Sequence, residues 1–150
     1  MHRLPFLSTD IIIEYNDGTK DGIILIERKY HPLGLALPGG HAEYGLTLEE
    51  NAIKESLEET GLEVKIQTPE HPLCVFSSPT RDPRYHMVSV TFIATGSGIL
   101  KAGDDAKEAK LYSLDEVRAL KNSLVFDHCR IIDEYLKYKE GKWNYTLGLE

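Results

Sequence analysis

Residues 39–62 read Gly-Gly-His-Ala-Glu-Tyr-Gly-Leu-Thr-Leu-Glu-Glu-Asn-Ala-Ile-Lys-Glu-Ser-Leu-Glu-Glu-Thr-Gly-Leu. A glycine-rich loop (Gly39, Gly40, Gly45) runs into a helix whose start is signalled by Thr47, with Glu50 at the capping-box spacing. Leu48, Ala52, Ile53 and Leu57 recur at helical spacing, and Gly61 suits the position just past the helix end. Glu55, Glu58 and Glu59 then share one arc beside that apolar stripe. Like charges three and four residues apart repel by a few tenths of a kcal/mol per pair. Anions in the last turn also oppose the helix dipole. A divalent cation reverses both penalties. The plainer alternative is a solvated acidic helix face.

Working outward, the chain reads as one soluble domain spanning residues 1–150, with 41% hydrophobic and 27% charged residues. A net charge of −7 argues against nucleic acid and anionic membrane as partners, yet leaves room for a small anion met by a metal and local cations. Cys74 and Cys129 cannot build a disulfide framework and read as two small, largely buried thiols. With no apolar run of membrane length and no signal-peptide pattern, the expected location is the cytoplasm.

Leu7 to Tyr15 and Ile23 to Arg28 are expected strands, joined at Asn16-Asp17-Gly18 as a hairpin. Pro32 to Pro38 is a loop with a short extended piece. Further strands are expected at Leu62 to Ile66, Leu73 to Phe76 and Met87 to Ala94, where Val88, Val90 and Phe92 alternate with Ser89 and Thr91. Gly103-Asp104-Asp105-Ala106 reads as an acidic turn, followed by a short helix capped by Ser113 with Glu116, over Leu114 to Leu120. An amphipathic helix is expected from Val125 to Tyr138. The tail from Gly141 could pack on a partner subunit, leaving a homodimer open, or fray. Without a steady βαβ rhythm, the expected fold is α/β with a mixed sheet.

Carboxylates clustered without Cys or His suit a hard cation such as Mg²⁺ or Mn²⁺. Residues 39–62 resemble the Nudix box: Gly, five residues, Glu, seven residues, Arg-Glu, an aliphatic, any residue, Glu-Glu, any residue, Gly, an aliphatic. Gly40, Glu55, Glu58, Glu59, Gly61 and Leu62 match, whereas Leu46 replaces the first Glu, Lys54 the Arg and Ser56 the aliphatic. The resemblance implies an α/β/α sandwich around a mixed sheet, with the box as a loop–helix–loop at one end. It also implies an ion held by Glu55 and Glu59, with Glu58 and the Gly40 carbonyl contributing. The reaction implied is hydrolysis of a diphosphate linked to a nucleoside.

Ser78 to His86, with Arg81, Asp82, Pro83 and Arg84, resembles a segment of small ADP-ribose pyrophosphatases of that family, as does Ala102 to Ala109. The likeness runs from about residue 23 to residue 112 and implies a role for several residues. Asp105 or Glu108 would add a base or a further carboxylate. Arg28, Arg81 and Arg84 would grip the diphosphate, and Tyr30 or Tyr85 would stack on the base. The plainer alternatives are a turn held by an Arg–Asp pair and a solvated acidic loop. His86 reads as a structural hydrogen-bonder, and His31, His41 and His71 are assigned nothing. ADP-ribose is the expected substrate. Nucleoside triphosphates, dinucleoside polyphosphates and a nucleotide sensor that does not turn over are the competing readings.

Overall fold

The computed structural model describes residues 3–103 and 106–143. The expected first hairpin forms from β1 (Phe6–Asn16) and β2 (Asp21–Arg28), with Glu14 opposite Ile23 and Gly18 at φ 98° in the turn. Two short strands follow, β3 (Leu35–Ala36) beside β2 and β4 (Gly39–His41) beside the first half of β1. Helix α1 (Leu48–Thr60) leads to β5 (Glu63–Ile66), β6 (Cys74–Phe76) and the long β7 (Met87–Ser97). The chain continues through β8 (Ala106–Tyr112), α2 (Leu114–Leu120) and α3 (His128–Lys139).

The sheet is mixed because β1 pairs in parallel with β7, while its other neighbours run antiparallel. Strand alternation then feeds two cores. Ile11, Ile13, Ile24 and Phe92 pack with Ala52 of α1 on one face. Ile12, Ile23, Leu25 and Ile93 pack with Val117, Ile131, Ile132 and Tyr135 of α2 and α3 on the other. The result is the expected α/β/α sandwich. Both capping boxes form, at Thr47–Glu50 and Ser113–Glu116, and Gly61 closes α1 at φ 73°.

Three expectations change. Strand β8 had no alternating signal, because Lys107, Glu108 and Lys110 break its apolar pattern, yet it pairs with β2 along its length. Helix α3 begins three residues later than expected, because Phe126 stands at φ 59°, outside helical backbone. The buried face of α1 is also rotated from the apolar stripe. Asn51, Ala52, Ser56, Glu59 and Thr60 face inward, while Ile53 and Leu57 reach solvent. Small Ser56 allows this, bonding back to the Ala52 carbonyl at 2.8 Å and leaving space against the sheet.

Candidate active site

The double glycine is wedged between a strand and a helix. A Cβ on Gly39 would fall 2.4 Å from Asp10 Oδ1 and from the Thr9 carbonyl oxygen. One on Gly40 would fall 2.5 Å from the carboxyl carbon of Glu55. Only glycine permits this approach. Asn51 fixes the neighbouring loop, donating to Thr9 Oγ1 at 2.9 Å and accepting the Glu43 backbone N–H at 3.1 Å. Glu59, 7% exposed, accepts the Gly39 N–H at 3.4 Å. The box thus brings Glu55 and Glu59, one turn apart, against the same loop.

Among the described residues, no three carboxylate, thiolate or imidazole groups converge into a ready cage for an ion. The donor chemistry nevertheless fits Mg²⁺, which typically takes one or two carboxylates and completes its shell with water and substrate phosphates. Glu58 is turned elsewhere: it is exposed and bonded to Lys54 Nζ at 2.5 Å. Lys54 also reaches Glu43 at 3.2 Å, so the carboxylate missing at Leu46 is supplied three residues earlier. These two acids hold the Lys54 ammonium well above its usual range. Glu108 lies on β8, exposed and paired with Lys110 at 3.0 Å, and does not line the cavity. Asp105 falls outside the described residues; Gly103, just before it, donates to the Glu59 carbonyl at 3.0 Å.

A cavity of about 240 Å³ opens from Gly40 and Glu59. Arg28, Arg84, Tyr30 and Phe126 line it, along with Asp10 and His128. Arg84 is aimed by Asp82 through bonds of 3.1 and 2.9 Å. Arg28 donates Nε to the Pro32 carbonyl at 2.8 Å. Both guanidiniums stand over the Phe126 ring, at 5.0 and 5.3 Å. Burial and the charge of Arg84 push the Arg28 pKa down, the signature of two cations gathered in one recess. An anion placed between them relieves that repulsion.

Arg81 requires a correction. Its side chain is 4% exposed and its fork is spent on Asp127, at 2.9 and 2.5 Å. A third bond, at 3.3 Å, goes to the Met87 carbonyl. It ties the 78–86 loop to the start of α3 rather than offering free donors. Tyr85 differs from expectation too. Its ring packs on Phe6 at 4.7 Å and its hydroxyl meets His41 Nε2 at 3.0 Å, so it stands behind the lining residues His41 and Arg84 rather than lining the cavity itself. Tyr30 lines the cavity mouth, 64% exposed. The sequence reading missed Phe126, His128 and Asp10. Of these only Asp10 had a signal, a charge inside the apolar run of β1.

This fold and its box helix define a class: the chain belongs to the NUDIX domain family, which it matches over residues 5–135. It is 44% identical over 140 residues to an ADP-ribose pyrophosphatase of Methanocaldococcus jannaschii, covering 91% of this chain and 76% of that one. A MutT/nudix family protein from Enterococcus faecalis superposes with a TM-score of 0.72 at 31% identity, over 89% of this chain and 61% of that one. The bifunctional NMN adenylyltransferase/ADP ribose pyrophosphatase of Francisella tularensis, complexed with AMP and Mn ion, gives 0.75 at 28% identity. That match covers 91% of this chain and 42% of the larger protein. Among the described residues no helix is long and apolar enough to cross a membrane.

Proposed function

We propose that the chain is a divalent-metal-dependent pyrophosphohydrolase that cleaves ADP-ribose, with water, to AMP and ribose 5-phosphate. The observation that carries this reading is the single cavity running from Gly40 and Glu59 to Arg28 and Arg84. It joins a carboxylate end suited to an ion with a cationic recess suited to two adjacent phosphates. The likeness to the Methanocaldococcus enzyme over most of both chains supports the choice of substrate.

Glu55 and Glu59 would hold Mg²⁺ or Mn²⁺ with the Gly40 carbonyl. A bound ion supplies neutralisation of phosphate charge and activation of water. Arg28 and Arg84 bind the diphosphate, and Phe126 and Asp82 keep their guanidiniums oriented before substrate arrives. Tyr30, exposed at the mouth, stacks on the base. Asp105 takes the proton of the attacking water; the described residue that leads toward it, Gly103, is anchored to the Glu59 carbonyl of α1. Lys54 keeps Glu58 from swinging freely at the metal end.

Turnover measured across ADP-ribose, nucleoside triphosphates and diadenosine polyphosphates, with and without Mg²⁺, tests the assignment. ADP-ribose is expected to have kcat/KM at least ~10-fold above the others, a preference of ~1.4 kcal/mol. A triphosphate as best substrate, or ADP-ribose bound but uncleaved, overturns it.

A further inference from the structure

We propose that Asp10 binds the hydroxyls of the distal ribose, the sugar at the non-nucleoside end of the substrate; this rests on the ADP-ribose reading above. Asp10 sits mid-strand on β1, in register with Gly39 on one side and Thr91 on the other. It is 7% exposed and lines the cavity. Its Oδ2 accepts the Ser89 hydroxyl from β7. Its Oδ1 stands 3.7 Å from His128 Nε2, beyond hydrogen-bond reach, and lies against Gly39, where a Cβ would fall 2.4 Å from it.

His128 does not neutralise this acid. Its Nδ1 accepts the Leu37 N–H at 3.0 Å, and full burial lowers its pKa and keeps the ring neutral. Three guanidiniums of the same lining feel the charge of Asp10, but Arg81 is committed to Asp127, Arg84 to Asp82 and Arg28 donates to the Pro32 carbonyl, and none bonds to Asp10. A carboxylate buried without a bound cation is costly unless it is hydrogen-bonded. Ser89 satisfies one oxygen of this cavity-lining residue; among the described residues no hydrogen bond is made to the other. Such a floor repels a further phosphate and attracts neutral O–H donors, which form short charge-assisted bonds to it.

Size and lining decide which half of the substrate reaches this floor. A cavity of about 240 Å³ falls below the ~300 Å³ where sites for drug-sized ligands begin, so beyond the diphosphate it has room inside for one end of the substrate and not for both. The lining includes Ser8, Gly39 and His128 with Asp10, small or polar groups suited to a small polyol, whereas exposed Tyr30 offers its ring at the mouth. The sugar therefore enters, and the nucleoside stays outside. A third phosphate has no place beside Asp10, which turns the same residue against triphosphates.

Competition and calorimetric binding of the two product halves, in Mg²⁺, read this without turnover. Asp10→Asn, which keeps an acceptor for Ser89, is expected to weaken ribose 5-phosphate at least ~10-fold, within the range for a hydrogen bond to a charged group. AMP binding should stay within about 2-fold. Wild type should bind 2-deoxyribose 5-phosphate more weakly than ribose 5-phosphate, a comparison that needs no variant to fold. The proposal is overturned by loss of AMP but not ribose 5-phosphate affinity in Asp10→Asn, by no change in either, or by wild type failing to bind ribose 5-phosphate. Failure to hydrolyse ADP-ribose despite this binding pattern would overturn the proposed activity alone.

Discussion

Lys54 Nζ lies between two carboxylates, 3.2 Å from Glu43 Oε2 and 2.5 Å from Glu58 Oε1. Leu46 and Lys54 are two of the positions where the box departs from its family pattern, and Glu43 resolves them together. The ammonium has a loop acid on one side and a helix acid on the other, so it staples the glycine loop to α1. Lys54→Met should therefore lower kcat, by ~10-fold on the scale of a misplaced catalytic group. The melting temperature should barely move, because solvent screens exposed ion pairs and they add little to stability. Leu46→Glu with Lys54→Arg should change kcat less than ~3-fold, since the existing lysine is already satisfied. Steady-state kinetics beside thermal melts check both.

Glu59→Gln isolates the buried acid at the metal end. Glutamine keeps the acceptor for Gly39 N–H and most of the packing, while removing the charge. A fall in kcat of at least ~10²-fold is expected, typical of losing charge stabilisation at the reacting centre. Circular dichroism should be unchanged. Turnover that persists in EDTA, or in this variant, contradicts the assignment.

Arg81 and Arg84 should separate in KM, although both come from one loop and both pair with a largely buried aspartate. Removing Arg81 strands Asp127 in a largely buried position, and breaking such a pair typically costs ~3–5 kcal/mol. Arg81→Ala is thus expected to lower the urea midpoint strongly, and Arg81→Ala with Asp127→Ala to recover part of it. Arg84→Ala should raise KM, because its guanidinium lines the cavity, and should lower the urea midpoint as well, because it leaves the buried Asp82 carboxylate without that guanidinium. A KM effect confined to Arg81→Ala would reverse the two roles.

That contrast also shows what could be read without coordinates. Periodicity, caps and turns located α1, the first hairpin and the mixed sheet, because each rests on local chemistry. The box spacing brought Glu55 and Glu59 to one helical face for the same reason. Partner choice is a different matter. Arg81 and Arg84 are alike in sequence and each pairs with an aspartate, Arg84 with its neighbour Asp82; only Asp127, from far along the chain, decides that Arg81 is the one held buried. Ile53 and Leu57 fit the apolar stripe, but Asn51, Ser56 and Thr60, each with its polar atoms bonded internally, take the buried face and leave them outward. Phe126 gave no signal at all; its place over two arginines follows from a backbone at φ 59° that tertiary packing imposes.

The last prediction concerns pH and His128. Burial pushes its pKa below the ordinary 6.5, with Arg81 and Arg28 acting in the same direction and Asp10 and Asp127 against it. The unfolded chain therefore takes up a proton at a higher pH than the folded one. Stability is fully present above about pH 6.5 and is lost as pH falls toward the folded value, with a slope of at most ~1.4 kcal/mol per pH unit for one group. His41 is pushed down too, by burial and by Arg84, so the wild-type slope is not due to His128 alone. His128→Asn places an uncharged acceptor near the Nδ1 position for the Leu37 N–H. Urea midpoints between pH 7.5 and 5.5 should show the variant less stable than wild type at the upper limit and less dependent on pH. Parallel curves for the two proteins would mean that His128 binds its proton equally in the folded and unfolded states.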